Sequence, residues 1–276
     1  MKILVIGGTG KVGSAVVAGL RDLGHDAMAA ARTNAPGVLA LDLMQPGSVQ
    51  TLAKGFDTAF LITPLVPNEA EIGIRAIDEL RAAGVKKTVY LGIHNLDEMA
   101  QIPHFASKIP IRDHLLADGV SVMLAANFFF QNDLNIMGAI KGAGVYPMPV
   151  GSAGVYSIDC RDIARAGVRA LTMDHWNATS QPLCGSAKLT GPIMAATWSR
   201  ATGRPVIYPG DDTGPFIDGL RAAMPGFDAW IEHDMRTMMD VTQAMGCQAS
   251  AHDIAASKEI IGKPQRPYED FVSEHA

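Results

Sequence analysis

Three glycines spaced by three, Gly7, Gly10 and Gly13, lie in the run Gly7-Gly8-Thr9-Gly10-Lys11-Val12-Gly13 of this 276-residue chain. An apolar, β-branched run (residues 2–6) precedes them, and a helical pattern (residues 11–24) follows. In that setting each glycine has a task. One permits a tight turn, one lets backbone approach a pyrophosphate, and one lets the helix pack close to the strand. Amides of the first helical turn would then face the phosphates. Glycine spacing alone recurs in ordinary loops, and its place between a strand and a helix is what points to a dinucleotide.

The end of the second predicted strand chooses between dinucleotides. An NAD-preferring site usually carries Asp or Glu there, bonded to ribose hydroxyls. This chain reads Ala30-Ala31-Arg32-Thr33-Asn34. A carboxylate would repel a 2′-phosphate, whereas a guanidinium pairs with it bidentately. Lys11 is expected to add a second positive charge near the same phosphate. The expected cofactor is therefore NADP(H), with a merely solvated Arg32 as the alternative.

These residues need a scaffold, and the chain spells one out. Apolar runs at 2–6, 25–31, 38–43, 58–63, 88–92 and 120–125 alternate with helical patterns at 11–24, 45–54 and 68–83. That alternation predicts an α/β Rossmann fold, a doubly wound parallel sheet with right-handed crossovers. After residue 127 the rhythm loosens into a loop-rich stretch at 147–154, a strand at 155–158 and a helix at 159–173. Thr190-Gly191-Pro192 opens another helix, 206–208 reads as a strand, and the chain is mostly helical from 212. We expect residues 1–150 to form the NAD(P)-binding Rossmann domain. Residues 151–276 would complete its core and form a smaller, mostly helical substrate lobe over the strand ends. Asp159 and the pair Ser250 and Asp253 read as helix caps.

Composition narrows the partners. Hydrophobic residues make up 48% and charged residues 18% of the chain, which suits a sizeable core rather than disorder. The net charge is −5 and no dense Lys/Arg run occurs, so direct nucleic-acid binding is not expected. No stretch approaches the ~20 apolar residues of a membrane span, and the opening apolar run is too short for a signal sequence. A cytoplasmic protein with a small apolar or aromatic substrate is the expectation. Three scattered cysteines and eight scattered histidines offer neither a disulfide framework nor metal-ligand spacing.

Further stretches carry a family resemblance: His104-Phe105-Ala106-Ser107-Lys108, Ala126-Asn127-Phe128-Phe129, Ile158 to Ala164, Leu189 to Pro192, Gly203-Arg204-Pro205, Ile261 to Pro264 and Tyr268 to Phe271. With the glycine run, they make essentially the whole chain similar to the NmrA-like group of atypical short-chain dehydrogenase/reductases. That group includes NADPH-dependent quinone reductases, triphenylmethane-dye reductases, and plant benzylic ether and isoflavone reductases. It also includes dinucleotide-binding redox sensors of transcription regulators. By position, the resemblance implies that Gly7, Thr9, Gly10, Lys11, Val12 and Gly13 hold the pyrophosphate and Arg32 the 2′-phosphate. Asp42 and Leu43 would lie near adenine, and Thr63 and Pro64 near the ribose. Lys108 and Asn127-Phe128 would fall at the nicotinamide end.

Ordinary members of the wider superfamily place a Tyr four residues before the Lys. Here His104 stands four residues before Lys108, so a phenol of pKa about 10 is replaced by an imidazole whose ordinary value is about 6.5. His104 is the candidate proton donor, with a bland histidine beside the pocket as its alternative. Lys108 is the candidate cofactor-holding and catalytic lysine, with a surface lysine at a helix start as its alternative. Pro110 disfavours helix at Ile109, which places a helix start near Lys108 with Ser107 as N-cap. His104 would then precede the helix and need not share a face with Lys108.

His94, Phe128, Phe129 and Tyr156 are candidate substrate contacts, with Phe130 also considered. Met235, Met238, Met239 and Met245 could line an apolar pocket, although such stripes are more often core. The expected function is an NADPH-dependent oxidoreductase passing hydride to a small planar acceptor such as a quinone or conjugated carbonyl. The alternative is a non-catalytic NADP(H)-binding redox sensor acting through a protein partner, with homodimerisation left open. An open apolar pocket beside the nicotinamide site would favour the enzyme, and a filled one the sensor.

Overall fold

A computed structural model describes residues 1–33 and 35–276, and Asn34, at the strand-end stretch, lies outside the described residues. Seven strands, β1 (Lys2–Ile6), β2 (Asp26–Ala31), β3 (Val38–Ala40), β4 (Thr58–Leu61), β5 (Lys87–Ile93), β6 (Val122–Ala126) and β7 (Thr179–Leu183), form one sheet. Its order is β3-β2-β1-β4-β5-β6-β7, every pairing parallel. The order reverses beside β1, which pairs with β2 on one side and β4 on the other. Loops leaving the carboxyl ends of such strands diverge and open a crevice.

The helices are α1 (Lys11–Asp22), α2 (Ser48–Leu52), α3 (Glu69–Ala82), α4 (Pro103–Ala106), α5 (Lys108–Leu116), α6 (Cys160–Thr172), α7 (Gly191–Thr202), α8 (Gly214–Ala223), α9 (Ala229–Met245), α10 (Ala251–Ile261) and α11 (Tyr268–His275). Alternate residues of the central strands feed two cores. Leu4, Ile6 and Leu61 pack with α2, α3 and α5, whereas Ile3, Val5 and Phe60 pack with α1, α6 and α10. Both faces are therefore dry, which is why these strands read as unbroken apolar runs.

Residues 151–276 supply β7, α6 and α10 to the sheet and its cover and carry α7, α8, α9 and α11. A buried carboxylate anchors that second part. Asp133, in the 3-10 segment Phe130–Ile136, accepts from Tyr146 Oη (2.9 Å), Trp198 Nε1 (3.0 Å) and the Tyr268 hydroxyl. Burial raises its pKa against the lowering pull of these three donors.

Four features differ from the sequence reading. Residues 155–158 and 206–208 form isolated bridges, through Val155, Ile158 and Ile207, not strands. β7, with the sequence Thr-Ser-Gln-Pro-Leu, was not foreseen; its Pro182 is tolerated because the strand is at the sheet edge. Ser107 is helical (φ −61°, ψ −26°) and its side chain caps nothing. The chain is already helical from Pro103. Pro110, lacking an N–H to return to Ala106, only divides α4 from α5. Asp159 does cap α6, and Ser250 with Asp253 forms a reciprocal capping box on α10. Among the described residues, no helix is long and apolar enough to cross a membrane.

Candidate active site

The glycine loop joins β1 to α1 through Gly7, whose φ of +83° suits glycine and whose N–H continues the ladder to the Ala30 carbonyl at 2.9 Å. Gly13 is set by packing, because a Cβ there would lie 2.2 Å from the Gly7 carbonyl oxygen. Gly10 differs. A Cβ on it would meet only that same oxygen, at 3.4 Å, so its bareness leaves the loop backbone open to an outside group. With α1 beginning at the next residue, this loop fits a dinucleotide pyrophosphate held on helical amides. Val12 faces the core and Thr9 is exposed on the loop.

Arg32 is exposed just past β2 and makes no hydrogen bond or ion pair among the described residues. Lys11 does not join it. Its Nζ donates to the Gln131 carbonyl (2.8 Å), beyond β6, whereas β2 lies on the opposite side of β1. The expected second charge near Arg32 is thus spent bracing the loop against the 130–136 segment. Asp42 and Leu43 occupy the loop after β3, where Asp42 Oδ1 accepts the Met44 N–H and the Leu43 carbonyl accepts from Arg75. Thr63 and Pro64 follow β4.

Beyond the carboxyl ends of β4, β5 and β6 lies an open, mostly apolar cavity of about 390 Å³. Thr63, His104, Lys108, Asn127, Phe128 and Phe129 all line it. Leu65, Asn132, Cys247 and Met238 of α9 complete much of the wall. His104 and Lys108 therefore share one cavity, because the helical turn from Pro103 carries both. Of the four methionines considered, only Met238 reaches it.

Lys108 is held from behind by a buried polar cluster. Its ammonium pairs with Glu69 Oε1, and Glu69 is fully buried at the first turn of α3. Thr63 Oγ1 donates to the same carboxylate (2.5 Å), Ser107 Oγ to its other oxygen (2.6 Å), and the Tyr90 hydroxyl lies 3.0 Å from Thr63. Burial works against the lysine charge, but Tyr90 and Glu69 outweigh it and hold the pKa above the ordinary lysine value. Burial raises the Tyr90 phenol pKa, so it stays protonated.

His104 is gripped by Asp234 of α9. Oδ1 accepts the His104 backbone N–H at 2.8 Å, supplying the helix-start N–H of α4 with a partner. Oδ2 lies 2.7 Å from His104 Nδ1, at ion-pair distance although out of line for a hydrogen bond. The His104 ring also stands edge-on to Phe105, 4.7 Å away.

Two expected substrate contacts lie elsewhere. His94 is buried behind the wall, with Nδ1 3.3 Å from Asn127 Nδ2 and Nε2 3.8 Å from Asp253 Oδ2. It borders a separate polar pocket of about 210 Å³, because β5 ends by turning it away from the cavity towards α10. Burial lowers its pKa against the opposing carboxylates of Asp253 and Glu98. Tyr156 is half-buried in the loop before α6, where its carbonyl accepts from Gly185, and it does not line the cavity. Phe130, also considered, is core against Tyr268 and Phe271.

Sequence reasoning missed Glu69 and Asp234. An acid in the first turn of a helix is ordinary, so Glu69 gave no signal. Asp234 did give one: it sits at helical spacing in an inward-facing stripe with buried Ile231 and Val241 and half-buried Met238.

The comparisons agree with this architecture. The NmrA-like family model matches residues 1–258. An NAD(P)H azoreductase of Xenophilus azovorans is 32% identical over 287 residues, covering 99% of this chain and 98% of that protein. Among solved structures, an NADPH-dependent quinone oxidoreductase from Escherichia coli in complex with NADPH superposes with a TM-score of 0.84. It is 22% identical, with 99% of each chain covered. The triphenylmethane reductase of Citrobacter sp. in complex with NADP(H) gives 0.84 at 18% identity, covering 100% of both chains. At those identities the two structures speak for the fold. The family match and the azoreductase span nearly the whole chain, and the chain belongs to the NmrA-like family.

Proposed function

We propose that this protein is an NADPH-dependent reductase of small planar aromatic acceptors, quinones and azo compounds foremost. The observation that carries the reading is the open apolar cavity at the strand ends, with Lys108 and His104 on one wall and Phe128, Phe129 and Met238 on others. A redox sensor without turnover has no need of such a space. The relatives named as azoreductase, quinone oxidoreductase and triphenylmethane reductase support the acceptor class.

NADPH, when bound, supplies the hydride. The chain contributes position and charge. The Gly7–Gly13 loop and the start of α1 seat the pyrophosphate, and Arg32 selects the 2′-phosphate. Thr63 and Lys108 hold the ribose end near the cavity, with Glu69 fixing the lysine. Phe128 and Phe129 offer flat apolar surface to the acceptor and keep water from it. With donor and acceptor aligned, most of the rate comes from orientation.

The test is NADPH oxidation against a panel of quinones, azo dyes and conjugated carbonyls, in wild type and Lys108→Ala. Turnover that falls at least ~100-fold in the variant while cofactor binding persists supports the assignment. Absence of turnover across the panel would overturn it.

A further inference from the structure

The geometry points to Asp234 as the residue that positions His104 for proton delivery to the reduced acceptor, an inference that rests on the reductase reading above. His104 presents two ring nitrogens with different surroundings. Nδ1 is sealed from solvent and faces the Asp234 carboxylate at 2.7 Å. Nε2 has no hydrogen-bond partner among the described residues and is not sealed, on a side chain that lines the cavity. One nitrogen thus faces a buried carboxylate, while the other is left without a partner on a residue of the cavity wall.

Asp234 is 0% exposed, on α9, and has no Lys or Arg partner among the described residues. Its grip is double, since the second oxygen holds the His104 backbone N–H. The side chain and the backbone of His104 are therefore fixed by one carboxylate from the second lobe. The other charged or titratable groups facing this region are Lys108 on α5, paired with Glu69 on α3, the Tyr90 phenol on β5 behind them, and the Cys247 thiol on the cavity wall. Burial pushes that thiol up to about 12, so it is neutral. Lys108 is paired with Glu69, and the side chain of Asp234 has no partner other than His104 among the described residues.

Reduction of a quinone to its hydroquinone takes up one hydride and one proton. The hydride brings both electrons. The proton passes from His104 Nε2–H to the acceptor oxygen, breaking that N–H bond and forming the O–H bond. His104 is left as neutral imidazole with its remaining proton on Nδ1, the nitrogen that faces Asp234, and takes up a new proton from solvent. A triarylmethyl cation takes the same hydride to form a neutral product, with no proton required.

The two acceptor types therefore separate a proton-delivery role from a merely structural one. Asp234→Asn is nearly isosteric, and its amide oxygen still accepts the His104 backbone N–H. The probes are 2-methyl-1,4-naphthoquinone and a triphenylmethane dye cation, assayed with NADPH in wild type, Asp234→Asn and His104→Gln. The ratio of quinone to dye turnover is expected to fall at least ~10-fold in both variants, within the range of general acid catalysis. An unchanged ratio overturns the inference while leaving the reductase reading standing. If wild type reduces only the quinone, its kcat must fall at least ~10-fold in both variants while the Kd for NADPH holds, and an unchanged kcat overturns the inference. If wild type binds NADPH yet reduces neither acceptor, the reductase reading fails and the proton-delivery role fails with it.

Discussion

Glu69→Gln removes one negative charge from the centre of the Lys108 cluster and changes little else in shape. Glu69 is 0% exposed and the Lys108 side chain 11%, so water cannot replace the lost partner. Thr63 and Ser107 currently donate to the carboxylate at 2.5 and 2.6 Å, and an amide in its place turns one of its two acceptors into a donor. Neutralising one member of a buried pair costs ~3–5 kcal/mol, because the other charge is left uncompensated. At about 2–4 °C per kcal/mol for chains of 150–250 residues, Tm should fall by roughly 6–20 °C. The assay is urea and thermal unfolding of wild type, Glu69→Gln, Lys108→Met and the double variant. The double variant should recover a large part of the loss, since removing both charges leaves neither stranded. A Glu69→Gln loss below ~1 kcal/mol would mean the pair behaves like an exposed one and would refute the reasoning. So would strict additivity.

Other expectations follow from the same geometry. Gly13→Ala puts a Cβ 2.2 Å from the Gly7 oxygen. It should cost about 1–3 kcal/mol and displace the loop, weakening NADPH binding at least ~10-fold in a fluorescence titration while circular dichroism stays native. Arg32→Ala should weaken NADPH binding by roughly 10- to 100-fold and NADH binding little, read as the ratio of the two Kd values. The alkaline side of the stability profile is set by groups with raised pKa. Lys108 and Tyr90 both lie above their ordinary values of 10.5 and 10.0. The folded state therefore binds their protons more tightly than the unfolded chain. The stability this confers is present below about pH 10 and is lost as pH rises through the folded values. Denaturation midpoints at pH 9 and 11 check the sign, and greater stability at pH 11 would contradict it.

What the sequence made legible was local. The β1–loop–α1 unit shows because one short stretch contains the strand, the glycines and the helix start. The caps at Asp159 and Ser250 show because capping spans three residues. What stayed hidden depends on distance along the chain. β7 pairs with β6 some fifty residues earlier, and its polar sequence carries no strand alternation. Asp234 meets His104 across 130 positions, and Glu69 meets Lys108 across 39. The position of Lys108 near the nicotinamide end came from the family resemblance. Its burial against Glu69 came only from the fold. The directions of His94 and Lys11 stayed hidden for a related reason: at a strand or helix end they are decided by neighbours the sequence does not name.

The proposed reaction passes hydride from NADPH directly to an aromatic acceptor in the cavity beside His104 and Lys108. An anaerobic single-turnover experiment with a coloured azo or quinone acceptor, and no added flavin, separates it from other routes. NADPH absorbance should be lost and the acceptor reduced in one shared phase, at equal rates. NADPH that binds but is not consumed, or reduction that appears only when flavin is added, would contradict it.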